Sequence, residues 1–262
     1  MGILNVTPDS FSDGGEWFVF DEAVEHGRAL VAEGADILDV GGESTRPGAA
    51  PVPVDEELRR VVPVVRAVRE TGAQISVDTM KLTVAQAAVE AGATYVNDVT
   101  AFRHDPELAG FVADRNCDCC LMHMLGEPRT MQDDPRYDDV VDDVRAFLEQ
   151  RVEFAVREGV REERIMVDPG IGFGKTLAHN LELLRRLDEI TAVGFPVVIG
   201  TSRKSFLGRL TGREDPHDRV AATLATTVLA YERGASVFRV HDVAPTRDAL
   251  AVATATLPRD GA

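Results

Sequence analysis

Short apolar runs rich in β-branched residues recur along the 262-residue chain. Each closes on a glycine or polar cluster and is followed by a stretch whose apolar positions return every three or four residues. That pattern predicts strands at Gly2 to Val6, Ala35 to Val40, Ala73 to Val77, Thr94 to Asn97, Cys119 to Met122, Arg164 to Val167, Pro196 to Ile199 and Ser236 to Val240. Between them the helical stretches have recognisable ends. Leu58, Val61, Val62, Val65 and Val68 follow an acidic first turn, Asp55-Glu56-Glu57, with Pro63 expected to bend the helix. Asp215 and Pro216 read as an N-cap and first helical residue, leading into an apolar stripe of Ala221, Leu224, Ala225, Val228 and Leu229.

Eight strand–helix units imply a parallel sheet, which either closes as a (β/α)8 barrel or stays open and doubly wound. The polar residues discriminate. Nearly every strand ends in a side chain able to bind or catalyse: Asn5, Glu43, Asp78, Asn97, His123, Asp168, Lys204, and Arg239 with His241. An open sheet gathers its site in one crevice, whereas a barrel brings all eight strand ends round one mouth. The expectation is a single-domain (β/α)8 TIM barrel spanning residues 1–262, with its site at the C-terminal ends of the strands.

Charge narrows the partners. The chain carries 44 Asp and Glu against 28 Lys and Arg, a net charge of −16, which disfavours nucleic acid and acidic membrane surfaces. The carboxylates are spread along the chain, as suits a salt-rich cytoplasm that screens self-repulsion, or a general acidic bias. No run of 18 apolar residues is present and no basic segment precedes an apolar one at the start, so a cytoplasmic location is expected. Cys117, Cys119 and Cys120 lack disulfide or zinc spacing and read as buried thiols.

Asp168-Pro169-Gly170-Ile171-Gly172-Phe173-Gly174-Lys175-Thr176 suggests a phosphate loop, but Pro169 stands where a Walker motif needs glycine. What remains is a strand ending in a carboxylate and a glycine-rich turn through which a ligand could approach the backbone. Asp78, Asn97 and Asp168 would repel one another in one mouth unless a ligand supplied N–H donors or a metal supplied charge. Ser202-Arg203-Lys204-Ser205 and Arg239-Val240-His241 bring cations to the strand-seven and strand-eight side, where barrels hold phosphate. Neither His123 nor His241 has catalytic-zinc spacing. The long polar connections after strands one and two, Asn5 to Gly15 and Gly41 to Gly48, are candidate lids.

Eight of these segments, in order, resemble the motif series of the dihydropteroate synthases, the folate-pathway enzymes that sulfonamides inhibit. They are Met1 to Gly15, Asp39 to Gly48, Ser76-Val77-Asp78-Thr79, Asn97-Asp98-Val99, Met122-His123-Met124, Asp168 to Lys175, Ser202 to Phe206 and Arg239 to Val243. The resemblance implies that Asp78, Asn97, Asp168 and Lys204 bind the pterin of 6-hydroxymethyl-7,8-dihydropterin diphosphate. It implies diphosphate contacts from Thr45, Arg46, Arg239 and His241, and Mg2+ held by Asn5 together with diphosphate oxygens. The pocket for 4-aminobenzoate would be shaped by Thr45, Arg46, Pro47, Phe173, Lys204 and Ser205 with Asp13, and Asp78, Asp168, Lys204 and Asp13 would carry catalysis. It further implies a homodimer.

The arylamine is a poor nucleophile, so the chemistry calls for a better electrophile. Loss of diphosphate would leave a methylene cation conjugated with the dihydropterin ring, ahead of attack by the amine. Two other readings share the barrel. A methyltetrahydrofolate–corrinoid methyltransferase would keep the carboxylates but has no need of the Thr45-Arg46-Pro47 loop or the Arg239 and His241 anion site. A non-catalytic pterin-binding paralogue could lose Asn5, Asp13 or Lys204 without cost to folding.

Overall fold

The computed structural model describes residues 1–7, 16–45 and 48–256, the side chains of 16–19 aside. The strands are β1 (Gly2–Asn5), β2 (Ile37–Gly41), β3 (Gln74–Asp78), β4 (Tyr95–Asp98), β5 (Asp118–Met122), β6 (Ile165–Asp168), β7 (Val198–Ile199) and β8 (Val237–Phe238). Between and after them lie α1 (Glu16–Ala32), α2 (Val54–Val68), α3 (Leu82–Ala91), α4 (Glu107–Arg115), α5 (Val140–Arg157), α6 (Leu177–Arg185), α7 (Leu187–Thr191), α8 (Ser205–Thr211), α9 (Val220–Glu232) and α10 (Val243–Thr256).

β1 to β6 pair in sequence order, all parallel, and β7 pairs with β8. Two single bridges complete the ring. Val167 pairs with Val197 between β6 and β7, and Gly2 pairs with Val240 where the chain beyond β8 returns to β1. At that seam Ile3 N donates to Val240 O and Val240 N to Met1 O, each at 3.0 Å. The sheet is therefore a closed eight-stranded barrel, as the sequence predicts.

The strands alternate between two interiors. Leu38, Val40, Ile75, Val77, Val96, Cys119, Leu121, Val167 and Ile199 face the helices and join the main core. The residues between them face the barrel axis. At one end of the axis Tyr95, Cys120 and Val198 form an apolar plug, with Met166 and Val237 against it. Toward the strands' C-terminal ends the same positions become Asp39, Ser76, Asp78 and Asn97, all buried. The barrel is filled by hydrocarbon at one end and by hydrogen-bonding groups at the other.

α2 runs across Pro63, with helix on both sides. One local expectation needs correction. In α9 the apolar stripe faces outward: Ala221, Ala225 and Leu229 are exposed, and Leu224 and Val228 only half-buried. The buried face is Thr223, Thr226, Thr227 and Ala230. The reason lies in the hydroxyls. Thr223 Oγ1 bonds Arg219 O (3.0 Å), Thr226 Oγ1 bonds Thr223 O (2.8 Å) and pairs with Thr201 Oγ1 (2.8 Å). Arg203 N donates to Thr223 Oγ1 (3.1 Å), so this threonine face anchors the connection beyond β7. Asp215 caps a short 3-10 turn, Pro216–Arg219, by accepting from His217 N (2.8 Å), ahead of α9. All three cysteines are free and buried, as expected.

Candidate active site

The ladder register sets the mouth. Asn5 lies level with Gly41, Gly41 with Asp78, and Asp78 with Asn97. Gly41 leaves the space open: a Cβ there would stand 3.6 Å from Asp78 Oδ2 and 3.8 Å from Asn5 Oδ1. Asn5 and Asp78 thus flank Gly41 on either side at the same level of the mouth.

At the centre is Asp39, fully buried on β2. Its Oδ1 accepts from Ser76 Oγ (2.5 Å), and its Oδ2 accepts from Asn97 Nδ2 (3.0 Å) and Arg239 Nε (2.6 Å). Arg239 Nη2 donates to Asp78 Oδ2 (2.8 Å), so one guanidinium clamps two carboxylates. Burial opposes its charge, but Asp39 and Asp78 more than offset that and hold it above the ordinary arginine range. Because Asp39 takes the amide nitrogen of Asn97, the carboxamide orientation is fixed. Sequence reading did not assign Asp39 a role. Its signal was a carboxylate in mid-strand, inside Ile37-Leu38-Asp39-Val40.

Burial pushes Asp78 up to about 7; Arg239 pulls it down, while Asp39, Glu57 and Asp98 push it further up. Asp168 is also raised by burial, against the pull of Lys204, the Gly170 N–H and Arg239. Its Oδ1 accepts from Gly170 N (2.7 Å). Burial lowers Lys204 to about 8, with Asp168 opposing and Arg239 adding to the shift. Lys204 Nζ donates to Ile171 O and lies 4.7 Å from the centre of the Phe173 ring, a cation–π contact. A Cβ on Gly200 would lie 3.8 Å from Lys204 Nζ and 3.9 Å from Arg239 Cβ, so the ammonium stands near the root of the Arg239 side chain.

Two of the three glycines after β6 also answer to packing. At Gly170 (φ +66) a Cβ would stand 1.9 Å from His123 O, and at Gly174 (φ +60) it would stand 2.6 Å from Leu125 O. Only Gly172 faces the site, 3.1 Å from Lys204 Cδ by the same measure. Phe173 rests against Val99, Met122, Met124 and Met131. Lys175 is buried, with Nζ 2.8 Å from His123 Nδ1 and donating to Phe173 O (3.0 Å). Burial and the Lys175 charge depress His123 to about 2, so this histidine stays neutral.

His241 Nδ1 lies 2.9 Å from Ser202 Oγ, which also accepts from His241 N (3.1 Å). Arg203 turns away to Asp242, with Nε at 3.0 Å and Nη2 at 2.5 Å. Ser205 is exposed at the start of α8, and Thr45 is half-buried in the connection after β2. Asp13, Arg46 and Pro47 lie outside the described residues. The structure therefore joins Asn5, Asp78, Asn97, Asp168, Lys204 and Arg239 at one mouth, with Phe173 at its rim. Ser205 directly follows Lys204 at the start of α8, Thr45 lies in the connection after β2, and His241 stands beside Ser202 two residues beyond Arg239.

Among the described residues no group of three or more His, Cys, Asp and Glu could hold a metal ion, and no helix is long and apolar enough to cross a membrane. Residues 1–241 match the family described as pterin binding enzyme. The chain is 45% identical to dihydropteroate synthase of Escherichia coli K12 over 98% of its own length and 91% of that protein. It is 50% identical to a probable bifunctional folylpolyglutamate synthase/dihydropteroate synthase of Haloferax volcanii, of which it spans 30%. A structure of Xanthomonas albilineans dihydropteroate synthase with 4-aminobenzoic acid superposes with a TM-score of 0.93 at 51% identity, covering 98% of this chain and 92% of that one. Another from the same organism, in complex with 7,8-dihydropteroate, gives 0.89 at 48% identity over 98% and 93%. A barrel whose mouth sets buried carboxylates against two cations, together with these likenesses along nearly its whole length, makes the chain a member of the dihydropteroate synthase family of pterin-binding enzymes.

Proposed function

We propose that the chain condenses 6-hydroxymethyl-7,8-dihydropterin diphosphate with 4-aminobenzoate, giving 7,8-dihydropteroate and diphosphate. The observation that carries this reading is the Asp39–Arg239–Asp78 clamp, which sets a ring-binding wall of acids against an anion-binding wall of bases in one mouth. The relatives' complexes with 4-aminobenzoic acid and 7,8-dihydropteroate support the two organic substrates.

Asp168 is suited to accept two parallel N–H bonds from the pterin edge, while Asn97, oriented by Asp39, offers its free carbonyl. Asp78 holds the ring from the opposite side. Arg239 and Lys204 face the diphosphate, and their positive charge stabilises it as the carbon–oxygen bond breaks. The methylene cation left behind is conjugated with the electron-rich ring and lies against Asp78 and Asp168. The amine of 4-aminobenzoate then forms the new carbon–nitrogen bond and releases its proton to solvent. Phe173 and the alkyl stem of Lys204 supply an apolar seat for the arene, with Thr45 and Ser205 at its edge.

Asn5 offers a hard carboxamide oxygen beside Asp78 Oδ2. The Asn5 oxygen suits Mg2+, which commonly binds one or two protein oxygens and takes the remainder from substrate phosphates and water. Bound there with the diphosphate, Mg2+ would supply charge neutralisation to the leaving group. Asp13, Arg46, Pro47 and His241 keep the roles the family resemblance implies for them.

We also propose that residues 1–262 act as one domain and pair as a homodimer through α8, α9 and α10. Leu210, Leu229 and Val252 on these helices are 52%, 45% and 65% exposed, and α9 packs against both α8 and α10. Leu229→Asp should yield monomers by light scattering. Three free buried thiols suit the reducing cytoplasm. The deciding assay incubates the chain with dihydropterin diphosphate, 4-aminobenzoate and Mg2+. Formation of dihydropteroate with one diphosphate per turnover is expected; binding of the pterin without product overturns the reading.

A further inference from the structure

The chain has only three lysines: Lys204 serves the mechanism, Lys175 is bonded to His123 and Phe173 beside β6, and Lys81 stands apart from both. It directly precedes α3, yet its side chain serves the connection between β2 and α2, which carries Thr45. Lys81 Nζ donates to Glu43 Oε2 (2.5 Å) where that connection leaves β2. It also donates to Val52 O (2.6 Å) where the connection returns, and to Glu57 Oε2 (2.5 Å) in the first turn of α2. All three ammonium protons are thereby used. Glu57 is held from its other side by Thr79 Oγ1 (2.6 Å), and Arg60 Nη1 secures Gly42 O (2.8 Å). Gly42 packs hard on α2, where a Cβ would stand 2.7 Å from Val61 Cγ2.

The cluster is desolvated: the side chains of Lys81, Glu43 and Glu57 are 12%, 11% and 1% exposed. Burial opposes the charge on Lys81, but the bonds to Glu43 and Glu57 outweigh it and raise its pKa above the usual lysine value. A compact ammonium is needed, because the acceptors converge from three directions and a planar guanidinium cannot meet them all. One side chain thus ties both stems of a loop to each other and to the neighbouring strand–helix unit.

We propose that Lys81 is a positioning residue for the second substrate: it clamps the stems of the 42–53 connection so that Thr45 is presented at the mouth in one geometry. This rests on the functional reading above, through the place that reading gives Thr45.

The test uses Lys81→Met and, because that change strands Glu57 buried without a partner, also Lys81→Met with Glu57→Gln. In the double variant the charge of Glu57, the more deeply buried of the two carboxylates, is gone and most of the stability recovers, Glu43 keeping its edge of solvent, while the clamp remains open. Both variants should raise KM for 4-aminobenzoate about tenfold and leave KM for the dihydropterin diphosphate within about twofold. Lys81→Arg should rescue only in part. Hydrogen exchange of peptides spanning 43–53 should quicken at least about tenfold, with peptides from β3 unchanged. A folded double variant with unchanged exchange in 43–53, or with faster exchange but both KM values at the wild-type level, overturns the proposal. If the unaltered chain forms no dihydropteroate, the functional reading falls by itself, and the exchange data still judge the clamp.

Discussion

On β2, β3, β4 and β6 the mouth is made of acids and amides, carried on strands of four or five residues in continuous parallel register. On β7 and β8 it is made of bases, carried beyond strands of two residues and joined to the rest by single bridges. The acidic wall is positioned by backbone ladders. The basic wall has fewer ladder bonds, such as Arg239 N to Ile199 O (2.9 Å), and adds side-chain ties: Thr226 and Thr223 hold the connection of Lys204, and Asp39 and Asp78 hold the Arg239 guanidinium across the barrel. The difference teaches that the Arg239 guanidinium owes its orientation to the anions it faces. The diphosphate contact proposed for Arg239 would redirect part of its guanidinium from carboxylate to phosphate.

The largest expected effect follows from cutting the clamp. Arg239→Met leaves Asp39 and Asp78 buried without a counter-charge, so stability should fall by about 3 to 5 kcal/mol in urea unfolding, with loss of turnover. Adding Asp78→Asn should recover part of the stability and none of the activity. A single variant as stable as the parent would show that the acidic wall stands without the basic one.

The next effect is on pH dependence. Asp78 must be ionised to pair with Arg239 and to face the methylene cation, and with its pKa raised to about 7 it gains a proton as pH falls through that value. Lys204 must be charged to face an anion, and with its pKa lowered to about 8 it loses its proton as pH rises through that value. The profile of kcat/KM for the pterin substrate should therefore be a narrow bell with limbs near these two values. In Lys204→Arg the charge persists, so the basic limb should move above about pH 9 while the acid limb stays in place. Movement of the acid limb instead would assign the groups the other way.

The sequence made the walls visible but not their joinery. Strand ends such as Asn5, Asp78, Asn97 and Asp168 were legible because βα alternation puts every such residue on one rim. Asp39 was hidden by lying in mid-strand, two positions below the rim, where period-two alternation into the barrel interior was the available sign. α9 misled for a related reason: its stripe of Ala221, Leu224, Ala225, Val228 and Leu229 has helical period, yet the buried face is the one whose threonine hydroxyls bond Thr201 and Arg203. Periodicity locates a face and says nothing of what that face must bond. The glycines after β6 were read as room for ligand, and Gly170 and Gly174 are also required by the carbonyls of His123 and Leu125.

A smaller effect tests that hidden support. Thr226→Val leaves the Thr201 hydroxyl without its buried partner and should cost about 1 kcal/mol of stability. Steady-state kinetics should show KM for the pterin diphosphate rising about threefold as the Lys204 connection loosens, with KM for 4-aminobenzoate less affected.

The most direct test of two walls serving two parts of one substrate is calorimetric. Asp168→Asn keeps the shape of the acidic wall and removes its acceptor pair, so affinity for 6-hydroxymethylpterin should fall about a hundredfold. Affinity for Mg-diphosphate should stay within about threefold of the parent. Equal losses for both ligands, or a loss confined to diphosphate, would contradict the division of labour on which this account rests.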